Sequence, residues 1–273
     1  MAVPLAFDHT SSGYSLQRAY WLARTAELAL QEPAVIEEQA ARWGFDRVRH
    51  HEARLAPPSP LRDVRACTLS GDRTIVIAFR GSEPGRIKDW LSDATTPPRP
   101  GPGGNGYVHH GFAAALDPLY PAVARTLAEL RTDGQGVYVT GHGLGGALAM
   151  LAGARLYLEA PHLAADGVYT FGQPRTCDRQ LADAFHQGLG GRMYRFVNNG
   201  DIVAQLPPEP AFTHVRALRY FDSRGRLHES MPTLSALADR AKGVPRDALA
   251  SASDGIRDHS LRSYLALLEK NLV

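Results

Sequence analysis

Apolar positions along this chain follow two alternating rhythms. Between residues 15 and 43, Leu16, Tyr20, Ala23 and Leu28 fall near helical spacing. Pro33 stands where a second helix would take it at its first turn, with an end expected near Gly44. Two strands follow, Arg65–Leu69 and Thr74–Phe79, joined by the turn Ser70-Gly-Asp-Arg73. The second is almost wholly apolar and β-branched, the pattern of a strand covered on both faces. Residues 111–131 read as helical, interrupted or restarted at Pro118 and Pro121. Three more strand-like runs, Val137–Thr140, Val168–Phe171 and Met193–Val197, alternate with apolar helical segments at 144–159 and 178–187. A late strand at 213–221 ends in the turn Asp222-Ser-Arg-Gly225, and 256–270 reads as a closing amphipathic helix. Strand alternating with helix at this spacing predicts a mostly parallel sheet with helices on both faces. The Pro/Gly-rich stretch Pro97–Gly106 predicts a loop, too short to link two domains. Residues 1–273 therefore read as a single α/β domain.

Composition narrows the function classes more than the fold. At about 150 residues per domain, 273 residues allow one large domain or two small ones. A formal charge of +2 gives no electrostatic reason to expect nucleic acid or a strongly anionic membrane as partner. Lys88, Lys242 and Lys270 are the only lysines among 30 basic residues, a habit of composition rather than of function. Two cysteines, Cys67 and Cys177, are too few for a disulfide framework or a zinc site. No apolar run reaches about 18 residues, so no transmembrane segment is expected. The opening residues Met1–Asp8 lack the pattern of a signal peptide. Localisation stays open between a cytoplasmic protein and a secreted one whose leader is missing.

The strongest local signal is Val139-Thr-Gly141-His142-Gly143-Leu144-Gly145-Gly146-Ala147. An apolar strand runs into glycines two positions either side of a centre, and a small-residue helix follows. That is the context of a nucleophile elbow, G-x-S-x-G, whose strained central residue thrusts its side chain into the site. Here the centre is Gly143, so the turn is present and its hydroxyl is missing. His142 is adjacent, but successive side chains leave a strand in opposite directions. It is expected to point away from the site and support the elbow. A phosphate loop is a weaker reading, since neither the Lys-Ser/Thr ending nor the dinucleotide spacing is present.

Several segments taken together resemble class-three (fungal-type) lipases of the α/β-hydrolase fold, on the bacterial branch. They are Gly13–Leu16, Trp43–Phe45, Ala78–Ser82, Asp89–Leu91, Val108–Phe112, the elbow, Tyr169–Pro174 and Arg195–Asp201. The departure is Gly143, where the family pattern carries serine. The resemblance implies a Ser-Asp-His mechanism on lipid esters such as triacylglycerol, at an oil–water interface, with no cofactor or metal. A monomer is expected. It places the acid at Asp201, beyond the strand ending Val197, where parallel strands gather a site at their carboxyl ends. A turn aspartate capping nearby amides is the plainer reading of the same residue. The base is His259, opening the last helix with an aromatic five residues on; His214 is its competitor. Oxyanion donors fall at the backbone of Leu144 and at Ser82, which could also cap a helix. Residues 83–106 become a candidate lid and hinge, in which Ile87, Trp90 and Leu91 share one face of a short amphipathic helix. His110, beside His109, reads as pocket rim or loop support. Three readings of Gly143 stay open: a lipase whose nucleophile has been replaced, a natural lipid-binding pseudoenzyme, or chemistry done by another group or a water.

Overall fold

The computed structural model describes residues 13–55, 63–81, 96–132, 134–230 and 253–272. Its centre is an eight-stranded sheet built from β1 (Arg47–Arg54), β2 (Asp63–Ser70), β3 (Thr74–Phe79), β6 (Gly136–His142), β7 (Gly167–Phe171), β8 (Met193–Asn198), β9 (Leu218–Phe221) and β10 (Leu227–His228). Those strands lie in the order β1-β2-β3-β6-β7-β8-β9-β10. From β3 through β9 every neighbour is parallel, while β1, β2 and β10 add antiparallel edges. With helices on both faces, this is an α/β-hydrolase fold.

The all-apolar run of β3 explains why the sheet is central. Ile75, Ile77 and Phe79 face one core, while Val76 and Ala78 face the other. All five are fully buried, which stabilises the fold by roughly 1.5–3 kcal/mol for each Ile, Val or Phe side chain. The first core is closed by α3 (His110–Leu116), α4 (Tyr120–Leu130), α5 (Leu144–Glu159) and α6 (Arg179–Leu189). The second is closed by α1 (Leu16–Leu28), α2 (Pro33–Arg42) and α8 (Leu261–Asn271), with α7 (Ser253–Asp258) just before α8. Local chemistry sets the helix starts. Ser15 accepts from the Arg18 amide, Pro33 opens α2, and Asp178 accepts from the Leu181 amide.

The structure departs from the sequence reading in four places. Strand β1 was not expected: its sequence RVRHHEAR is mostly polar, and only His51 is buried on this edge. Within the stretch read as loop, β4 (Arg99–Pro100) pairs with β5 (Tyr107–Val108) across a short 3-10 turn. The late strand shrinks to Leu218–Phe221, because Thr213 makes only an isolated bridge to Cys177. The closing helix divides into α7 and α8, and His259 sits in the break rather than opening the last helix. Among the described residues, no helix is long and apolar enough to cross a membrane.

Candidate active site

The C-terminal end of β6 turns sharply into α5. Gly143 holds φ 55° and ψ −120°, and its amide donates to the Phe171 carbonyl at 2.9 Å. The first intrahelical bond of α5 runs from the Ala147 amide to the Gly143 carbonyl, 3.1 Å. The amides of Leu144, Gly145 and Gly146 therefore lie before the helical ladder, free by position for an anion. The flanking glycines are sterically required. A Cβ at Gly141 would overlap the Gly145 carbonyl, and one at Gly145 would overlap the Phe79 carbonyl. Small residues after the turn let α5 lie close on the sheet, as Gly153 does against Val168.

Asp201 and His259, 58 residues apart, meet at the ends of β7 and β8. Imidazole Nδ1 lies 3.1 and 3.0 Å from the two carboxylate oxygens of Asp201. The carboxylate side chain is fully buried and the imidazole nearly so. Tyr264, on α8, donates its hydroxyl to Asp201 Oδ2 at 2.6 Å and accepts from the Asn198 amide at 3.0 Å. Oδ1 of Asp201 also accepts from the amides of Val203 (2.9 Å) and Ala204 (3.4 Å). The two readings of Asp201, partner of the histidine and cap of a turn, hold together. Burial pushes its carboxyl up, but the facing His259 and the donors of His259 and Tyr264 outweigh this and hold it below its ordinary value. Burial, then Asp201 itself, pushes the Tyr264 hydroxyl well above its ordinary value, so it stays protonated and donates.

His259 Nε2 is aimed at the elbow centre. A Cβ on Gly143 would lie 3.0 Å from it and 3.3 Å from Cε1. The structure thus brings together Gly143, Leu144, Asp201 and His259. Ser82, Ile87, Trp90 and Leu91 fall outside the described residues, as does most of the 83–106 segment. His110 begins α3, partly buried, with no described hydrogen bond to the Asp–His pair. His214 is not a partner of Asp201. Its Nε2–H donates to the Ala204 carbonyl at 2.7 Å, bracing the turn beyond the acid. Burial and then the cations Arg195 and Arg175 keep it neutral.

His142 takes the face expected of it, and what it supports there is the base. His142 leaves β6 on the face opposite the elbow, but α8 covers that face and the His259 ring is there. The two imidazoles stack with centroids 4.4 Å apart, and His142 Nε2–H donates to the His259 carbonyl at 2.6 Å. Burial, then the neighbouring His259, pushes its pKa down to about 3, which keeps positive charge from forming on His142 beside the base.

Other residues carry the geometry without having been singled out for it. Gly172, at φ 58°, leaves room for the Asp–His pair; a Cβ there would sit 2.7 Å from Asp201 Oδ2 and 2.8 Å from His259 Nδ1. Asn198 Nδ2 donates to the Asp258 carbonyl (2.9 Å), and the Gly200 amide donates to Asp258 Oδ2 (3.2 Å). These bonds tie the loop bearing the acid to the break bearing the base. The sequence signals available were the glycine after β7 and the aromatic five residues beyond His259. Among the described residues no group of three or more His, Cys, Asp or Glu side chains could hold a metal.

Comparison with known proteins places the fold and the family. Residues 76–211 match the family model described as lipase (class 3). The chain is 36% identical over 153 residues to a lipase from Rhizomucor miehei, a match covering 54% of this chain and 41% of that one. It is 30% identical over 202 residues to triacylglycerol lipase OBL1 from Ricinus communis, covering 55% and 38%. The chain thus spans well under two thirds of these curated relatives. A solved triacylglyceride lipase from Rhizomucor miehei superposes with a TM-score of 0.63 at 24% identity, over 88% of this chain and 90% of that one. That likeness establishes the fold.

Proposed function

The chain belongs to the class 3 lipase family, and from that premise we propose that it carries the active site of a lipid-ester hydrolase whose nucleophile position is occupied by Gly143. In the complete site, a serine hydroxyl at position 143 attacks the ester carbonyl. His259 takes the hydroxyl proton and returns it to the leaving alcohol, while Asp201 orients the ring and stabilises the imidazolium. The Leu144 amide receives the oxyanion, and Ser82 is the second donor in this reading. Water then releases the acid in the second half. The relatives' names favour triacylglycerol and related lipid esters; the oil–water interface and a single acting chain are what the resemblance implies. One continuous eight-stranded sheet supports reading residues 1–273 as a single catalytic unit; the lid and hinge at 83–106 come from the resemblance alone.

The alignment of Asp201, His259 and position 143 carries the reading: an imidazole held by a buried carboxylate on one nitrogen and directed at the elbow centre by the other. With glycine there, the serine-dependent reaction is stopped. The test is Gly143→Ser beside the present chain on p-nitrophenyl esters of graded chain length. Strong hydrolysis with a burst of p-nitrophenol is expected from the serine form alone. Lipid binding by both and hydrolysis by neither would favour a non-catalytic lipid-binding protein instead.

A further inference from the structure

His259 enters the site with one nitrogen committed and one open. Nδ1 faces Asp201, whereas Nε2 makes no hydrogen bond to any described residue, although His259 is only 4% exposed. That open nitrogen points at Gly143 and the start of α5, a sixteen-residue helix with three amides ahead of its first internal bond. Glycine matters to the space here, because any side chain would begin with a Cβ in tight contact with the ring. Without it, position 143 puts only backbone before Nε2, and the space a side chain would take is left for a water within hydrogen-bonding reach of the base. A buried base next to unladdered amides joins a proton acceptor to an oxyanion site.

We propose that the chain as it stands hydrolyses carboxylic esters in one displacement, the His259–Asp201 dyad activating a water, with no acyl-enzyme. The proposal rests on the ester-hydrolase reading of the site. The water oxygen bonds to the carbonyl carbon as one of its protons passes to Nε2, and the carbonyl π pair moves onto oxygen. The Leu144 amide receives that oxyanion, and Asp201 accepts from Nδ1–H of the imidazolium. On collapse the carbonyl re-forms, the bond to the alcohol oxygen breaks, and that oxygen takes the proton back from Nε2. Ester and water become acid and alcohol, and His259 returns to its neutral form. The cysteines offer no competing nucleophile. Both are free and buried, and burial pushes the Cys67 thiol to about 12 and raises that of Cys177 as well.

The experiment uses the purified chain at high concentration with p-nitrophenyl butyrate, beside Gly143→Ser, His259→Gln and Asp201→Asn, each checked for folding by circular dichroism. The glycine chain should give saturable hydrolysis more than about 10³–10⁴-fold above buffer, the acceleration that binding and the oxyanion site alone leave to a triad enzyme. Its progress curve should be linear from the first turnover and unaffected by an alkyl fluorophosphonate. The serine form should show a burst and be inactivated by that reagent. Folded His259→Gln, built in the glycine chain, should fall to that residual of about 10³–10⁴-fold, which needs no base. If His259→Gln does not fold, fluorophosphonate insensitivity and the absent burst carry the test. Buffer-level rates from the glycine chain beside an active serine form would overturn the dyad and leave the ester reading standing. An inert but folded serine form would sink that reading itself. Equal rates from the glycine chain and His259→Gln, or labelling of another residue with loss of activity, would place the nucleophile elsewhere.

Discussion

Gly143 holds a backbone that an L side chain adopts only under strain. At φ 55° and ψ −120° glycine is at ease, whereas a non-glycine residue there costs roughly 1–3 kcal/mol. Serine would also bring its Cβ to 3.0 Å from His259 Nε2, so the ring must retreat by a few tenths of an ångström. Gly143→Ser should therefore add hydrolysis while lowering the unfolding free energy by about 1–3 kcal/mol, read from urea denaturation. A serine form more stable than the glycine chain would show that the elbow is not strained. His142 is a positioning residue on the other side of the same base. In the serine background, His142→Ala removes the stacked ring and the donor to the His259 carbonyl, letting the imidazole drift. The expected cost is tenfold to about a hundredfold in kcat, the scale of an ångström of misplacement, with little change in KM. His142→Gln, which keeps a donor, should recover part of the loss. A proportional rise in KM instead would point to a general distortion of the pocket.

At the scale of elements, the β6–turn–α5 unit decides whether the site exists at all. Gly145→Ala would drive a methyl into the Phe79 carbonyl, which rigid β3 cannot yield. A loss of about 1–3 kcal/mol is expected, as for other over-packed positions. Gly191→Ala, with open space around it, should change stability by less than about 0.5 kcal/mol. Equal effects from the two would mean the turn has slack. This unit was legible in the sequence because its chemistry is local: an apolar strand, glycines at fixed spacing, then a small-residue helix. The buried strands were legible for the same reason, since runs such as Thr74–Phe79 admit few other structures. Strand β1 was hidden, because an edge strand of Arg, His and Glu has no apolar alternation and is held by pairing with β2. The break at His259 was hidden too. What ends α7 there is not a Gly or Pro in the sequence but bonds from Asn198 and Gly200 to Asp258, 60 and 58 residues away. What His142 supports was hidden for a related reason: strand alternation gives the face a side chain takes, not which distant helix covers that face.

Over the whole molecule, three inward-facing histidines set a limit in acid. His51 bonds Thr68 at 2.9 Å with His50 beside it; burial, then His50, lowers its pKa to about 4. His142, stacked on His259, is lowered to about 3, and His214, facing Arg195 and Arg175, is lowered well below its ordinary value. In each case the unfolded chain binds a proton near pH 6.5 that the folded chain refuses. Stability from these groups is therefore complete above about pH 6.5 and drains away as pH falls toward their folded values. Asp201, also lowered, adds its loss only below about pH 3.9. Each histidine contributes up to about 1.4 kcal/mol per pH unit, so three together approach about 4 kcal/mol per unit near pH 5. Against a total of about 5–15 kcal/mol, that predicts cooperative acid unfolding above pH 3. Urea titrations at pH 7.5, 6.5, 5.5 and 4.5 should show a plateau followed by a steepening fall. His51→Gln, which cannot take up the proton, should flatten that fall by about one proton's worth. Unchanged stability from pH 7 to pH 5 would mean that these imidazoles are protonated in the folded chain, and that His142 adds positive charge beside the base.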